Sequence, residues 1–293
     1  MIPHELFQKI RRLEVRTRGL VDSLFGGEYH TAFKGQGITF AEVRPYQIGD
    51  DVRTIDWNVS ARMGTPYVKL FEEEREQTLL LVVDVSGSQA FGVRGRTKRE
   101  LAAELCAVLG FSALRNHDRV GLLLFSDRIE GFVPPRKGRR HVLRLVRDLY
   151  ACQPRSIRTD LRVALDYLIR VQRRRAIILI LSDFLDMPDF ERPLRALARR
   201  HDVVAIQLQD PVEQTWPDVG LVALIDAETG QRHWLDTRSA RVRRWLAAHA
   251  HQQQAALEAR FRRLQIDHVR LRTDADYVEP LLAFFHHRNR RRR

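Results

Sequence analysis

Three separated groups of oxygen-bearing side chains in this 293-residue sequence have the composition of a metal site. Their members are Asp84, Ser86, Ser88, Thr159 and Asp183. Two carboxylates and three neutral hydroxyls form an all-oxygen ligand set. Such a set suits a hard cation, Mg²⁺ first and Mn²⁺ or Ca²⁺ next, and does not suit a soft, thiophilic metal. The first question is therefore which elements could bring these residues together.

The two aspartates each end an apolar run, TLLLVVD at 78–84 and AIILILSD at 176–183. From residue 78 onward such runs alternate with amphipathic segments, which predicts an α/β fold with a doubly wound, mainly parallel sheet of five or six strands. Ligands bind such sheets outside the carboxyl ends of the strands, where the strand order reverses. If these two strands are neighbours, Asp84 and Asp183 converge on one crevice.

The remaining elements follow from the same patterns. Strands are predicted at 78–84, 118–127, 128–135, 176–183, 202–210 and 266–273, helices at 98–117, 139–152, 160–174, 190–200, about 239–263 and after 273, and a hairpin at 221–236.

Residues 1–77 lack this rhythm and predict a separate N-terminal layer, with a first helix and then short strands and loops. Segment 44–62 alternates three arginines with three aspartates around Tyr46 and Trp57. One interpretation is a salt-bridged layer that packs its aromatic side chains on the sheet, because buried ionic groups need partners. The other is a surface that docks a partner or covers the site. The predicted divisions are 1–77, 78–287 and a basic tail at 288–293.

The hydroxyl residues also have a simpler interpretation. Ser and Thr are favoured helix N-caps, and Thr159 followed by Asp160 before an amphipathic segment is a plausible cap. The order of the three groups along the chain, each at the expected strand end or helix start, favours the metal site.

The motifs DVSGS (84–88), TDLRVAL (159–165) and LILSD (179–183) resemble the metal-ion-dependent adhesion site of von Willebrand factor A-like domains. The resemblance covers about residues 78–285. It implies a Rossmann-type three-layer fold and makes Asp84, Ser86, Ser88, Thr159 and Asp183 the coordinating positions. RPYQIGDDVRTIDWNVSAR (44–62), with SDF (182–184) and DAETG (226–230), is similar to the bacterial domain of unknown function 58 family. That resemblance implies an association with MoxR-type AAA+ ATPases.

The composition is that of a globular protein, with 44% hydrophobic and 30% charged residues. The longest aliphatic run, AIILIL, is far short of the roughly 20 residues that span a bilayer. We expect a cytoplasmic protein, because the N-terminal segment lacks the features of a secretory signal. Cys106 and Cys152 are then expected to be reduced thiols.

The net charge of +13 permits a polyanion-binding or nucleic-acid-binding role as the alternative function. Five of the excess charges belong to the terminal HHRNRRRR, which we expect to be disordered. The arginines elsewhere are explained as well by a solvated surface and by helix ends, where cations suit the helix dipole.

Enzyme signatures are missing from the sequence. It contains no G-x-x-x-x-G-K-[ST] loop, no G-x-G-x-x-G after the first strand and no H-E-x-x-H. Ser86 occupies the position where a dehalogenase-type phosphotransferase needs a second acid, and DVSGS is not the G-x-S-x-G elbow. The expected function is a non-enzymatic protein–protein interaction module, in which Mg²⁺ bridges to a carboxylate of a partner such as a MoxR-type AAA+ ATPase.

Overall fold

The computed structural model describes residues 10–15, 17, 20–21, 29, 31–33, 38–73, 76–93, 95–185, 189–226 and 230–292. Residues 10–15 are helical, and the first nine residues of the predicted N-terminal helix fall outside the described part. The strands are β1 Ile38–Pro45, β2 Tyr67–Glu73, β3 Thr78–Asp84, β4 Arg119–Phe125, β5 Ile129–Arg136, β6 Ile177–Ser182, β7 Asp202–Gln209, β8 Leu221–Ile225, β9 Arg232–Asp236 and β10 Asp267–Arg272. The helices are α1 Trp57–Met63, α2 Lys98–Arg115, α3 Arg139–Ala151, α4 Leu161–Val171, α5 Glu191–Ala198, α6 Pro211–Gln214, α7 Ala240–Leu264 and α8 Val278–Arg292.

Six strands form the central sheet in the order β10-β7-β6-β3-β4-β5. All neighbours are parallel except β5, which pairs antiparallel with β4. From β3 the chain adds strands in one direction as far as β5, returns to the other side of β3 with β6, and continues outward to β10. The reversal therefore lies between β3 and β6, which confirms the predicted α/β class with a mainly parallel sheet.

The central strands are buried on both faces, as their nearly continuous apolar sequences predict. On one face Leu79, Leu81 and Val83 pack in a core that includes residues of α2, α3 and α8. On the other face Leu80 and Val82 pack with residues of α4, α5 and α7. Because successive strand side chains point to opposite faces, β3 contributes to both cores and is held firmly in place.

The register of β3 and β6 determines which residues meet at the edge of the sheet. The two strands pair in parallel up to Val83 with Leu181. Asp84 is therefore level with Ser182, and Asp183 follows one residue beyond. The prediction that the two strands are neighbours is confirmed.

The N-terminal layer contains a separate two-stranded antiparallel sheet, β1 with β2. Arg44 makes a two-pronged ion pair with Asp50, with nitrogen–oxygen distances of 2.7 and 2.8 Å, so one ion pair lies within segment 44–62. The expectation that this layer packs its aromatic side chains on the sheet is wrong for Trp57, which is 68% exposed.

The C-terminal arginines differ from expectation. Helix α8 continues to Arg292, so a disordered tail beginning at residue 288 is wrong. Arg288 is buried and pairs with Asp202 and Asp267, the first residues of β7 and β10. Long-range partners thus stabilise a segment whose local composition suggests disorder.

The hairpin at 221–236 is present as β8 and β9. Cys106 and Cys152 are free thiols, as expected. Within the described residues, no helix combines the length and the apolar character needed to cross a bilayer.

Candidate metal centre

Asp84 lies at the carboxyl end of β3 and is completely buried. Its Oδ1 accepts a hydrogen bond from the backbone N–H of Ser86 at 2.9 Å. Its Oδ2 accepts one from the hydroxyl of Ser182 at 2.7 Å. Ser182 ends β6, so this bond joins the two strands at the point where the strand order reverses.

Ser86 and Ser88 lie on the loop beyond β3, which forms a short 3-10 helix over Gly87–Ala90. Ser86 precedes this helix but its side chain makes no capping bond, and Ser88 lies inside the helix. The two hydroxyl oxygens are 3.3 Å apart, and Gln89 Nε2 is 3.4 Å from Ser88 Oγ. The capping explanation therefore does not account for either serine.

Thr159 lies in the loop before α4. This loop is joined to the serine loop by a backbone bond in which Gly87 N–H donates to the Ile157 carbonyl at 2.9 Å. The N-cap of α4 is Asp160, whose carboxylate accepts from Arg162 N–H. Thr159 Oγ1 is buried and has no hydrogen-bond partner in the described structure. A buried hydroxyl without a partner costs free energy, so Thr159 is not explained by capping or by packing.

Asp183 follows β6 and is buried. Its Oδ2 accepts from Lys98 Nζ at 2.8 Å, and its Oδ1 accepts from the backbone N–H of Leu185 at 3.3 Å. The amide Nε2 of Gln207 donates to the Asp183 carbonyl at 3.2 Å. A cavity of about 360 Å³ opens beside Asp183, with Gln254 and Arg260 of α7 on its far wall.

Lys98 was not found by sequence analysis. It is the first residue of α2, its side chain is 0% exposed, and its ammonium also pairs with Glu213 of α6. Burial alone would lower the pKa of Lys98, but the charges of Asp183 and Glu213 outweigh it and raise the pKa. Burial raises the pKa of Glu213, and the neighbouring ammonium opposes this shift. Lys98 is therefore a permanent cation beside the carboxylates.

Asp84 is held in an environment that disfavours its charge. Burial, and then repulsion by Asp183, raise the pKa of Asp84 to about 7, against the hydrogen bonds from Ser86 and Ser182. Two carboxylates at one buried edge repel each other and lack full compensation from Lys98, which contacts only Asp183 of the two. A dication at this edge would remove that cost.

The donor chemistry fits a hard divalent cation. The available groups are two carboxylates, the hydroxyls of Ser86 and Ser88, and the partnerless hydroxyl of Thr159. In the described residues no group of three or more His, Cys, Asp or Glu side chains could hold a metal ion. This site has two carboxylates, with hydroxyls as its other donors, so it is of a different kind.

Hydrogen bonds link Asp84 to Ser86 and Ser86 to Ser88. Another links Asp84 to Ser182, the residue before Asp183, and a backbone bond attaches the Thr159 loop. Sequence analysis missed Lys98, Ser182 and Glu213. Ser182 had a signal, since it occupies the last strand position before Asp183. Lys98 and Glu213 had none, because an isolated Lys or Glu in a helical segment is normally a surface residue.

The model of a family described as "Protein of unknown function DUF58" matches residues 42–256. The uncharacterized protein Rv1480 of Mycobacterium tuberculosis is 37% identical over 289 residues, which cover 98% of this chain and 90% of that protein. The uncharacterized protein MAV169 of Mycobacterium avium is 38% identical over 161 residues, which cover 54% of this chain and 94% of that protein. Among solved structures, the conserved hypothetical protein BatB from Bacteroides thetaiotaomicron is 12% identical, with a TM-score of 0.44 over 73% of this chain and 99% of that chain.

Proposed function

The chain belongs to the DUF58 family, and we propose that it is a non-enzymatic interaction module that binds a protein partner through a Mg²⁺ ion. Asp84, Ser86, Ser88, Thr159 and Asp183 would hold the ion, directly or through water. When bound, the ion supplies an electrophilic centre with a coordination position open to a carboxylate of the partner. These residues would fix the position of the ion at the carboxyl edge of the sheet.

The observation that carries this proposal is the buried hydroxyl of Thr159 without a partner, at the same edge as Asp84. Most buried polar side-chain atoms are hydrogen-bonded, so a buried hydroxyl without a partner needs an explanation. The partnerless hydroxyl of Thr159 and the pKa of Asp84, raised to about 7, both support a cation site at this edge. If one or both carboxylates act through water, few anionic donors would lie directly on the ion, which would favour an additional carboxylate from outside.

The proposed partner is a MoxR-type AAA+ ATPase or its client. Support comes from the similarity of segment 44–62 and the strand-end motifs to the DUF58 family, and from the resemblance of the five positions to a metal-ion-dependent adhesion site. The resemblance to von Willebrand A-like domains also implies that a partner carboxylate would fill the open coordination position.

The test is binding of the MoxR-type ATPase of the same genome to the immobilised chain, measured by biolayer interferometry with Mg²⁺, with EDTA and after Mg²⁺ is restored. We expect binding to disappear with EDTA, to return with Mg²⁺, and to weaken by at least about tenfold in Asp84→Ala. Glu76→Ala is the matched control, because Glu76 is an exposed acid at the opposite end of β3. Binding that is indifferent to EDTA and to Asp84→Ala would contradict the proposal.

The alternative function is polyanion binding, favoured by the net charge of +13. It requires an affinity for DNA or RNA that falls steeply with salt and does not depend on Asp84. Fluorescence anisotropy with a labelled oligonucleotide, at two salt concentrations and with residues 290–293 deleted, separates this function from the metal-dependent one.

A further inference from the structure

Lys98 is a buried cation that lies directly beside the candidate metal centre. Its ammonium contacts Asp183 at 2.8 Å and also pairs with Glu213, while the side chain is 0% exposed. Replacing a buried ion pair by apolar groups is often neutral or stabilising, since both charges must be desolvated. Lys98 is also the first residue of α2, where the helix dipole disfavours a cation. Desolvation and the helix dipole therefore both disfavour a cation at this position beside the candidate metal centre.

The start of helix α2 fixes the backbone of Lys98. Thr97 and Glu100 form a reciprocal capping box at the start of α2, in which each side chain accepts from the backbone N–H of the other residue. From this fixed backbone position the ammonium reaches Asp183 at 2.8 Å. With their carboxylates ionised, Asp84, Asp183 and Glu213 carry three negative charges against the one positive charge of Lys98, a balance of −2.

We propose that the ammonium of Lys98, beside Asp183, lowers by its charge the affinity of the centre for divalent cations, so that a partner carboxylate is needed for tight binding. This inference rests on the proposed function of the same site. The negative charge of Glu213 raises the metal affinity, because it offsets part of the repulsion between the ammonium and the ion. The pair thus sets the resting metal affinity without being a ligand.

The charge balance predicts an order of metal affinities for four proteins. Lys98→Met changes the balance to −3 and is expected to bind Mn²⁺ at least about tenfold more tightly than the wild type, because charges a few ångströms apart interact by more than this at a protein's effective dielectric. Glu213→Gln changes the balance to −1 and is expected to bind more weakly by a similar factor. The double variant restores −2 and is expected to match the wild type within about threefold.

The experiment is Mn²⁺ titration of the full chain, followed by electron paramagnetic resonance and by calorimetry, at a pH above the Asp84 pKa of about 7. Mg²⁺ is then used as the competitor. Circular dichroism and urea unfolding check that each variant is folded. Lys137→Met is the matched control, because Lys137 is an exposed lysine whose carboxylate partner is Glu76, and it is expected to leave the Mn²⁺ affinity unchanged.

A purely structural role for Lys98 gives a different order. In that case Lys98→Met and the double variant both bind Mn²⁺ more weakly than the wild type, and that result overturns the inference. So does a folded Glu213→Gln variant with unchanged affinity, which tests the charge balance even if Lys98→Met fails to fold.

Failure of the proposed function produces a distinct result. If Mn²⁺ binds to the wild type and follows the predicted order, but the partner binds equally well with EDTA, the inference stands and the proposed function fails. If neither the wild type nor Lys98→Met binds Mn²⁺, both are overturned.

Discussion

Two buried clusters, each with one cation and two or more carboxylates, lie at opposite edges of the six-stranded sheet. Lys98 lies at the carboxyl edge with Asp183 and Glu213, whereas Arg288 lies at the amino edge with Asp202 and Asp267. Both cations come from helices that pack on the same face of the sheet. They differ in that every nitrogen of the Arg288 guanidinium has a partner, whereas the edge beside Lys98 also holds the partnerless hydroxyl of Thr159.

The Arg288 cluster is complete. Its Nε donates to the Ala32 carbonyl at 3.1 Å, one terminal nitrogen donates to Asp267 at 2.6 Å, and the other donates to Asp202. The guanidinium also lies 4.7 Å from the centre of the Phe33 ring. At the carboxyl edge Thr159 Oγ1 lacks a partner and Asp84 has a raised pKa. The fully paired Arg288 cluster stabilises the fold. At the carboxyl edge, pairing the Thr159 hydroxyl and relieving the repulsion of the carboxylates would contribute free energy to ligand binding.

The largest expected effect is at the complete cluster. Arg288→Met leaves two carboxylates at the amino edge without their buried partner and is expected to reduce the free energy of unfolding by about 3–5 kcal/mol. Urea unfolding followed by circular dichroism measures this loss. The Mn²⁺ affinity of the folded fraction is expected to stay the same, and a parallel loss of metal binding would show that the two edges are not independent.

The next effect is the pH dependence of stability in the metal-free protein. A raised carboxyl pKa means that the folded state binds the proton more tightly, so Asp84 destabilises the metal-free fold above its pKa of about 7, and this cost disappears as the pH falls. Between one unit above and one unit below that pKa, wild-type stability is expected to rise by about 1.4 kcal/mol relative to Asp84→Asn. Urea unfolding in EDTA across this range measures the difference.

The comparison with Asp84→Asn matters because burial also raises the pKa of Asp118 to about 7. That contribution is common to both proteins and cancels. Saturating Mg²⁺ is expected to remove the difference between high and low pH in the wild type, and a wild type that tracks Asp84→Asn at every pH would contradict the assignment.

Thr159→Val separates the effect of the Thr159 hydroxyl on stability from its effect on metal binding. Valine has nearly the same shape and removes a buried hydroxyl without a partner, so the metal-free protein is expected to gain about 1 kcal/mol of stability. Mn²⁺ binding is expected to weaken by about tenfold, equivalent to ~1.4 kcal/mol. Chemical denaturation and Mn²⁺ titration give the two numbers. Thr159→Ser is the control that retains the hydroxyl and the metal affinity.

The smallest effect is expected at the surface beside the complete cluster. Arg291 is 68% exposed at its side chain and lies 3.4 Å from Asp267. Arg291→Met is expected to change the free energy of unfolding by less than about 0.5 kcal/mol, because exposed ion pairs contribute little. It is the matched control for Arg288→Met, and equal losses for the two would mean that burial does not explain the larger effect.

The elements that carry the candidate centre were predictable from local sequence. Continuous apolar runs ending in Asp84 and Asp183 identify two buried strands, and the alternation with helices predicts that their carboxyl ends share an edge. The capping alternative for Ser86 and Thr159 could be decided only by geometry, because Asp160, the neighbour of Thr159, makes the capping bond.

The cations were not predictable, because their environments come from distant parts of the chain. Lys98 meets Asp183 and Glu213 only after β6 and α6 are in place, and Arg288 meets Asp202 and Asp267 only across β7 and β10. Trp57 shows the reverse case, an aromatic residue expected inside the protein and found at the surface. Local sequence identifies the type of a residue but does not identify its remote partners.

The parallel pairing of β3 with β6 has a consequence for the order of folding. Asp84 and Asp183 are 183 − 84 = 99 positions apart in the sequence, and the intervening chain includes β4, β5, α3 and α4. Pairings this distant in sequence form late, because the entropy of closing a long loop must be paid before the contact forms. During synthesis Asp84 and its serines leave the ribosome long before Asp183 does. Metal binding at this edge would therefore report that the chain has folded at least as far as β6, and a chain truncated before Asp183 would not acquire it.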